Sequence, residues 1–379
     1  MGVSIVIPTW NGLSLLQQFL PSVLAAATHY ISSSNALAEI IVVDDGSADA
    51  TVDWLREQGF VENDDSKVET EVRRPALKFA MNKTNLGFGE TCNRGFELAE
   101  YPLVFLLNND VEVDVDCIVP LVENFREPSL FAAHCRVFEF DSGRECGTGK
   151  LGSFTRGFIR VHRSYAVLAP GTGAPNLQST LSSGERRAIQ PGPDVALTGG
   201  EAHNPRRLYS MFAGGGSAMF DRQKFLAMGG FDLLLSPFYW EDVELSYRAW
   251  KRGFEIVYEP RSVTRHRVSS TIGKLGRRKV RVIEQRNRLI YHWIHLRNVG
   301  MMASHVAWVA VLGLTAPLRL EPGFLSSVMA ALRKLPAIRR RRREEKQSQT
   351  RTDREVFEIF KVFESDPSVV AYDDLREVQ

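Results

Sequence analysis

Several residue clusters in this chain are of the types that bind metal, nucleoside or a proton. Asn108-Asn109-Asp110 follows the apolar run Phe105-Leu106-Leu107 and precedes Val111-Glu112-Val113. That places the polar triplet at the carboxyl end of a strand, the edge where open α/β sheets hold ligands. A carboxylate there can bind a hard divalent cation, Mg²⁺ or Mn²⁺, which in turn binds diphosphate oxygens. The same triplet also suits an Asn/Asp turn. Asp44-Asp45-Gly46-Ser47 closes a second apolar run. Either acid can accept a hydrogen bond from a nucleobase imide or a ribose, with Thr9 and the backbone around Pro8 framing the base. The pair reads equally as helix N-terminal acids favoured by the macrodipole. Glu241-Asp242 opens a stretch with Leu245, Ala249 and Trp250 on one side. A carboxylate at that helix start is held anionic and can take a proton from a hydroxyl, or it is an ordinary acidic first turn. His266 follows a strand and precedes a Ser/Gly-rich segment. Neutral imidazole there is either a ligand for a Mn²⁺-like metal or a structural group.

The elements that must position these residues follow from apolar periodicity. Val3 to Ile7, Glu39 to Val43 and Leu103 to Leu107 read as buried strands, with a weaker strand within Val68 to Lys78. Leu13 to Ala27, Thr51 to Gln58 and Glu90 to Glu100 read as helices between them. Strands alternating with helices imply a largely parallel sheet covered on both faces. Its carboxyl ends share one edge, so the polar clusters converge there. Ser164 to Leu208 lose periodicity and gain Gly, Pro, Ser and Thr, as a ligand-ordered excursion or a disordered insertion does. Met211 to Phe220 contain three consecutive glycines, which allow close backbone approach. Asp221 to Met228 read as a short helix capped by Asp221. Phe254 to Tyr258 read as a strand followed by Pro260.

Composition excludes several classes. Lys plus Arg number 47 against 45 Asp plus Glu, so no global field calls for nucleic acid. The four cysteines, Cys92, Cys117, Cys135 and Cys146, form no CxxC pair, which fits a reduced, cytoplasmic protein. Met1-Gly2-Val3-Ser4-Ile5 reads as a strand start rather than a leader. Gly87-Phe88-Gly89-Glu90-Thr91-Cys92 ends in Cys where GxGxxG needs Gly, and Gly149-Lys150 is followed by Leu151, so neither a dinucleotide fingerprint nor a P-loop is present.

With these residues in view, the chain resembles the family 2 inverting glycosyltransferases of the GT-A fold, particularly their rhamnosyltransferase-like branch. The matching segments are Ser4 to Gly12, Val42 to Ser47, Asn85 to Gly89, Leu107 to Asp110, Gly215 to Met219 and Trp240 to Leu245. The resemblance spans roughly residues 1 to 300. It implies an α/β GT-A catalytic domain over 1–275, with the 164–208 insertion, and a helical C-terminal region over 276–379. It implies a nucleotide-diphosphate sugar donor, dTDP-rhamnose or a UDP-sugar, and a glycan or lipid-linked acceptor in cell-surface polysaccharide synthesis. Donor contacts fall to Pro8, Thr9, Trp10, Asp44, Asp45, Asn85, Gly87, Asn93, Asn108 and Asn109, with Asp45 on the nucleobase. Asp110 and His266 would hold the divalent metal, Asp242 would be the base, and Trp240 and Glu241 would line the acceptor site. Asn108 stands where the family's DxD motif has its first acid. A sugar-1-phosphate nucleotidyltransferase would need a Gly-rich, basic first loop, which Pro8 to Gly12 lacks. A silent nucleotide-sugar binding subunit is the other alternative.

Val299 to Leu318 approach the ~20 apolar residues of a membrane span, but their polar positions and Pro317 favour a buried or interfacial helix. Arg339 to Arg343 are an unbroken basic run, either a solvated linker or an anionic-lipid contact. The expected location is cytoplasmic, with peripheral attachment to the inner face of the membrane. Arg351 to Gln379 read as a terminal helix that docks back, then a frayed end.

Overall fold

The computed structural model describes residues 1–63, 74–167, 207–267, 276–316 and 322–373. The first half alternates as expected: β1 (Val3–Thr9), α1 (Leu13–Ser34), β2 (Ala38–Asp44), α2 (Thr51–Glu57), β3 (Val61–Glu62), β4 (Ala76–Met81), α3 (Phe88–Leu98) and β5 (Leu103–Leu107). Strands β4, β2, β1 and β5 lie side by side and all pair in parallel. Their side chains alternate between two cores. Val3, Ile5 and Ile7 face the side covered by α1, while Val6 and its neighbours Ile41 and Val104 face α3. Burial on both faces is why these strands are near-continuous apolar runs.

The second half adds β6 (Val111–Val113), α4 (Ile118–Asn124), β7 (Leu130–Glu139), β8 (Glu145–Gly147), β9 (Lys150–Thr155), β10 (Phe158–Val167), β11 (Ser217–Asp221), α5 (Arg222–Ala227), α6 (Glu241–Lys251) and β12 (Glu255–His266). The sheet continues from β5 through β11, β7 and β12 to β6. Strand β11 is antiparallel to β5, with Ser217 opposite Leu107, so the glycines before β11 lie at the carboxyl end of β5. Strand β12 runs parallel to β7 and antiparallel to β6, with His266 opposite Val111. The sheet is therefore mostly parallel and flanked by helices. Strand β12 runs past Pro260, beyond the Phe254 to Tyr258 strand read from the sequence. The register shifts between Glu259 and Val263, and pairing resumes to His266, the irregular setting in which a sheet tolerates proline.

The remaining elements are α7 (Arg277–His295), α8 (Val299–Thr315), α9 (Pro322–Arg333), α10 (Leu335–Ser348), α11 (Asp353–Glu364) and β13 (Val369–Asp373). They share a core with the sheet: Tyr291, Ile294, Ile338, Val356 and Phe360 pack in the cluster that holds Val6 and Leu106. Val369–Asp373, within the stretch expected to fray after α11, instead form β13, which pairs with β10, and β10 pairs with β9, as a separate antiparallel sheet; residues 374–379 lie outside the described residues. Ser164 to Val167, counted in the foreseen excursion, belong to β10 instead. Residues 168–206 of that excursion, and most of the weak strand expected within 68–78, lie outside the described residues.

Candidate active site

The loops at the carboxyl edge are built around Asp45. Its Oδ1 accepts from Asn82 Nδ2 and Leu86 N, both at 2.8 Å, and its Oδ2 from Gly87 N at 2.9 Å. Its own N–H donates to Thr9 O at 2.8 Å. The carboxylate thus fixes the Asn85-Leu86-Gly87 loop, in which Gly87 has φ 91° and Asn85 is exposed. Asp44 instead caps its own turn, accepting from Ser47 N at 2.9 Å and bonding Ser47 Oγ. Asn11 N donates to Ser47 Oγ and Asn11 Oδ1 accepts from Ala48 N, a pinned turn that leaves the neighbouring Trp10 43% exposed.

The triplet after β5 joins three elements. Asn109 Nδ2 donates to Thr9 Oγ1 at 2.8 Å. Asn108 N donates to Gly216 O at 3.0 Å, and the Asn108 side chain fills the space that a Cβ on Gly216 would need. A Cβ on Gly12 would likewise collide with Thr9 and Asn109. Asp110 is buried, and its Oδ1 lies 3.0 Å from His266 Nε2. Pairing of β6 with β12 creates this proximity, reinforced by Arg267 N donating to Asp110 O at 3.0 Å. One carboxylate oxygen and one imidazole nitrogen are hard-to-borderline donors that fit Mg²⁺ or Mn²⁺. Among the described residues no cluster of three or more such side chains occurs. A cation held here would thus take its other ligands from phosphate oxygens and water, the usual arrangement at nucleotide sites.

Asp242 sits in the first turn of α6, beyond Trp240. Its Oδ1 accepts from Val243 N at 2.7 Å and its Oδ2 lies 3.4 Å from Gly215 N. Burial raises the Asp242 carboxyl above its ordinary value, although these backbone N–H groups pull it down. Burial, and then the Asp242 charge, push Glu241 up to about 8. The expectation that the helix dipole leaves both acids readily ionised is therefore corrected: desolvation outweighs it. With its carboxyl pushed up to about 8, Glu241 is mostly protonated at neutral pH beside Asp242. A carboxylate with a raised pKa is a stronger base than a solvent-exposed one.

These contacts close a ring. Asp45 touches Thr9, Thr9 touches Asn109, and Asn108 touches Gly216. Gly215 contacts Asp242 and lies against Phe88, and Gly87 returns to Asp45. Pro8 and Thr9 are buried at the end of β1. Two expected site residues are placed differently from their expected roles. Trp240 is not an open wall: it is 7% exposed, with its ring against Tyr291 and His292. Tyr239, exposed beside it, presents the aromatic surface at that turn. Asn93 engages the backbone of Phe231 with both polar groups, at 2.8 and 3.0 Å. Sequence reasoning missed the support behind Asp242. Tyr239 and Trp240 have φ of 69° and 76°, left-handed backbone that is unusual for aromatic residues. Buried Asn287 holds that turn, donating to Phe238 O and Tyr239 O at 2.9 Å. The Gln285-Arg286-Asn287-Arg288 run was the available signal.

Comparison with known proteins bears on the family and the fold. Residues 4–189, just under half of the chain, match the profile described as Glycosyl transferase family 2. The chain is 25% identical over 280 residues to poly-beta-1,6-N-acetyl-D-glucosamine synthase of Staphylococcus epidermidis, covering 74% of this chain and 53% of that one. It is 23% identical to the same synthase of Staphylococcus aureus strain COL over the same span. The chain thus spans about half the length of the curated relatives it matches. The crystal structure of GalNAc-T7 with UDP, GalNAc and Mn²⁺ shares the fold, with TM-score 0.50 and 17% identity over 79% of this chain and 48% of that one. Residues 4–189 therefore carry the domain of an enzyme family, glycosyl transferase family 2, within a GT-A fold.

Proposed function

We propose that the chain transfers a sugar from a nucleotide-diphosphate sugar to a hydroxyl of a glycan or lipid-linked acceptor, with inversion at the anomeric carbon. One observation carries this reading: the closed ring that brings Asp45, the Asp110–His266 pair and Asp242 to one sheet edge. Asp45 and the loops it fixes take the nucleoside. Asp110 and His266 are the residues that would hold a divalent cation, which when bound neutralises charge on the departing diphosphate. Asp242 accepts the proton of the acceptor hydroxyl, whose oxygen bonds to the anomeric carbon as the bond to the diphosphate breaks. A single displacement inverts the configuration and needs no protein nucleophile. Neutral Glu241 keeps a second negative charge away from the incoming hydroxyl and can donate a hydrogen bond to it.

The donors to examine are dTDP-rhamnose and UDP-sugars, given the resemblance and the synthase relatives. A thermal-shift screen of nucleotide sugars with Mn²⁺ or Mg²⁺ tests the reading. A donor at about 100 times its Kd adds about 2.7 kcal/mol of stability and raises the melting temperature. Release of nucleoside diphosphate from the stabilising donor distinguishes an enzyme from a silent binding subunit. No shift with any nucleotide sugar, in either metal, sinks the proposal.

A further inference from the structure

Helices α8 and α9 carry an exposed apolar surface among the described residues. Val306, Val311 and Leu314 of α8 are 58%, 46% and 80% exposed. Ala303, Ala307 and Ala310 lie between them at helical spacing and are exposed too. On α9, Leu325, Met329 and Leu332 are exposed, and Leu325 comes close to Gly313 of α8, so the two apolar faces adjoin. Only Lys334 separates α9 from α10, with near-helical φ −91° and ψ 4°. Ile338 N still bonds Lys334 O across that junction. The exposed stripe therefore continues at spacings of three or four, through Pro336 to Arg339, Arg340 and Arg343.

The structure sorts the five-arginine run by direction. Arg341 turns inward to Asp232 and Glu345, and Arg342 to the carbonyls of Trp293 and Ile294. Arg339, Arg340 and Arg343 remain exposed, with exposed Glu344 the acid beside Arg340. We infer that this stripe is a docking surface for an anionic phospholipid bilayer. Its apolar half would lie in the interface plane, and the arginines would sit at the headgroups. No described helix is long and apolar enough to cross a membrane, so the surface rests on the bilayer rather than spanning it. Charge decides between occupants. An anionic bilayer satisfies both the apolar half and the three outward arginines, whereas a second copy accounts directly only for the apolar half. The inference is independent of whether the cleft transfers a sugar, because its readout is vesicle binding.

The test is co-sedimentation of the full chain with large vesicles of phosphatidylcholine alone, or with a third phosphatidylglycerol, at low and high salt. Binding is expected to the anionic vesicles at low salt and to weaken steeply with salt. Arg339→Gln/Arg340→Gln/Arg343→Gln should lower the partition coefficient on the order of 100-fold. Val311→Glu/Leu314→Glu should abolish insertion, with the circular dichroism and melting temperature of both variants unchanged because these side chains are exposed. Three results would each overturn the inference: no binding to anionic vesicles, equal binding to neutral ones, or a dimer in light scattering that Leu314→Glu splits.

Discussion

Replacing Asp242 by Asn tests the proposed chemistry most directly. The substitution keeps the shape and an oxygen able to accept from Val243 N, now at 2.7 Å. What changes locally is the longer contact to Gly215 N at 3.4 Å, where an amide nitrogen cannot accept. A bond that long contributes less than a normal one, so the folding cost is at most about 1 kcal/mol. The catalytic loss is larger. A positioned base contributes about 10²–10⁴-fold, or roughly 3–5 kcal/mol of barrier at 1.36 kcal/mol per tenfold. Nucleoside diphosphate release should fall by that factor, while donor affinity by calorimetry stays within about twofold, because the proposed role puts Asp242 on the acceptor rather than the donor. A second readout belongs to Glu241. Burial, the larger cause of its rise to about 8, persists in the variant, but the Asp242 charge does not. Its midpoint should therefore drop while staying above the ordinary 4.5. Turnover within about tenfold of wild type, with donor binding intact, would refute Asp242 as the base.

Three further outcomes follow from the same geometry. Asp110→Ala should remove the Mn²⁺ dependence of donor affinity in calorimetry; a persistent difference with and without metal would place the cation elsewhere. Glu241→Gln should stabilise the chain at pH 8 by roughly 4 kcal/mol relative to wild type, with little gain at pH 4. The sign follows from a raised folded pKa: protonated Glu241 contributes fully below 4.5, and that contribution is lost as pH rises through about 8. Asp45→Ala should cost about 3–5 kcal/mol in denaturant unfolding, because Asn82 Nδ2, Leu86 N and Gly87 N lose their acceptor at once; a loss under about 1 kcal/mol would show that the loop holds without it.

Much of the fold was legible because its signals are local. The apolar runs of β1, β2 and β5 end in turn-forming residues, and Asp221 does cap α5, accepting from Lys224 N at 2.9 Å. What stayed hidden depends on distant partners. Pro260 follows the strand read from the sequence, yet β12 resumes pairing with β7 beyond it, and only that continuation brings His266 to Asp110. The β9–β10–β13 sheet joins segments some 200 residues apart, so no window of sequence contains it. Tyr239 and Trp240 are adjacent aromatics, and which one is exposed is set by left-handed backbone that sequence does not reveal. The sign of the Glu241 and Asp242 shifts was hidden for a related reason. A dipole can be inferred from position in a helix, but desolvation needs to know what covers it.

The same dependence on distant partners explains how acids so far apart in the chain keep their spacing. On the buried face of α6, Arg248 pairs with Glu244 at 2.8 Å and donates to Gly230 O at 2.6 Å. Burial alone would raise Glu244, but Arg248 and then His295 hold it down at about 2, so this anchor stays charged while Glu241, one turn away, is neutral. Asn93 of α3 grips the next residue of the same turn, Phe231. Gly230 has φ 64°, and a side chain there would run into Asn93. One turn thus receives a clamp from the helix that carries Asp242 and another from the helix that begins at the Asp45 loop. That shared turn ties α6, which carries Asp242, to α3, which follows the Asp45 loop. Asn93, expected to contact donor, thus also has a structural task in the site: its two polar groups hold the backbone of Phe231.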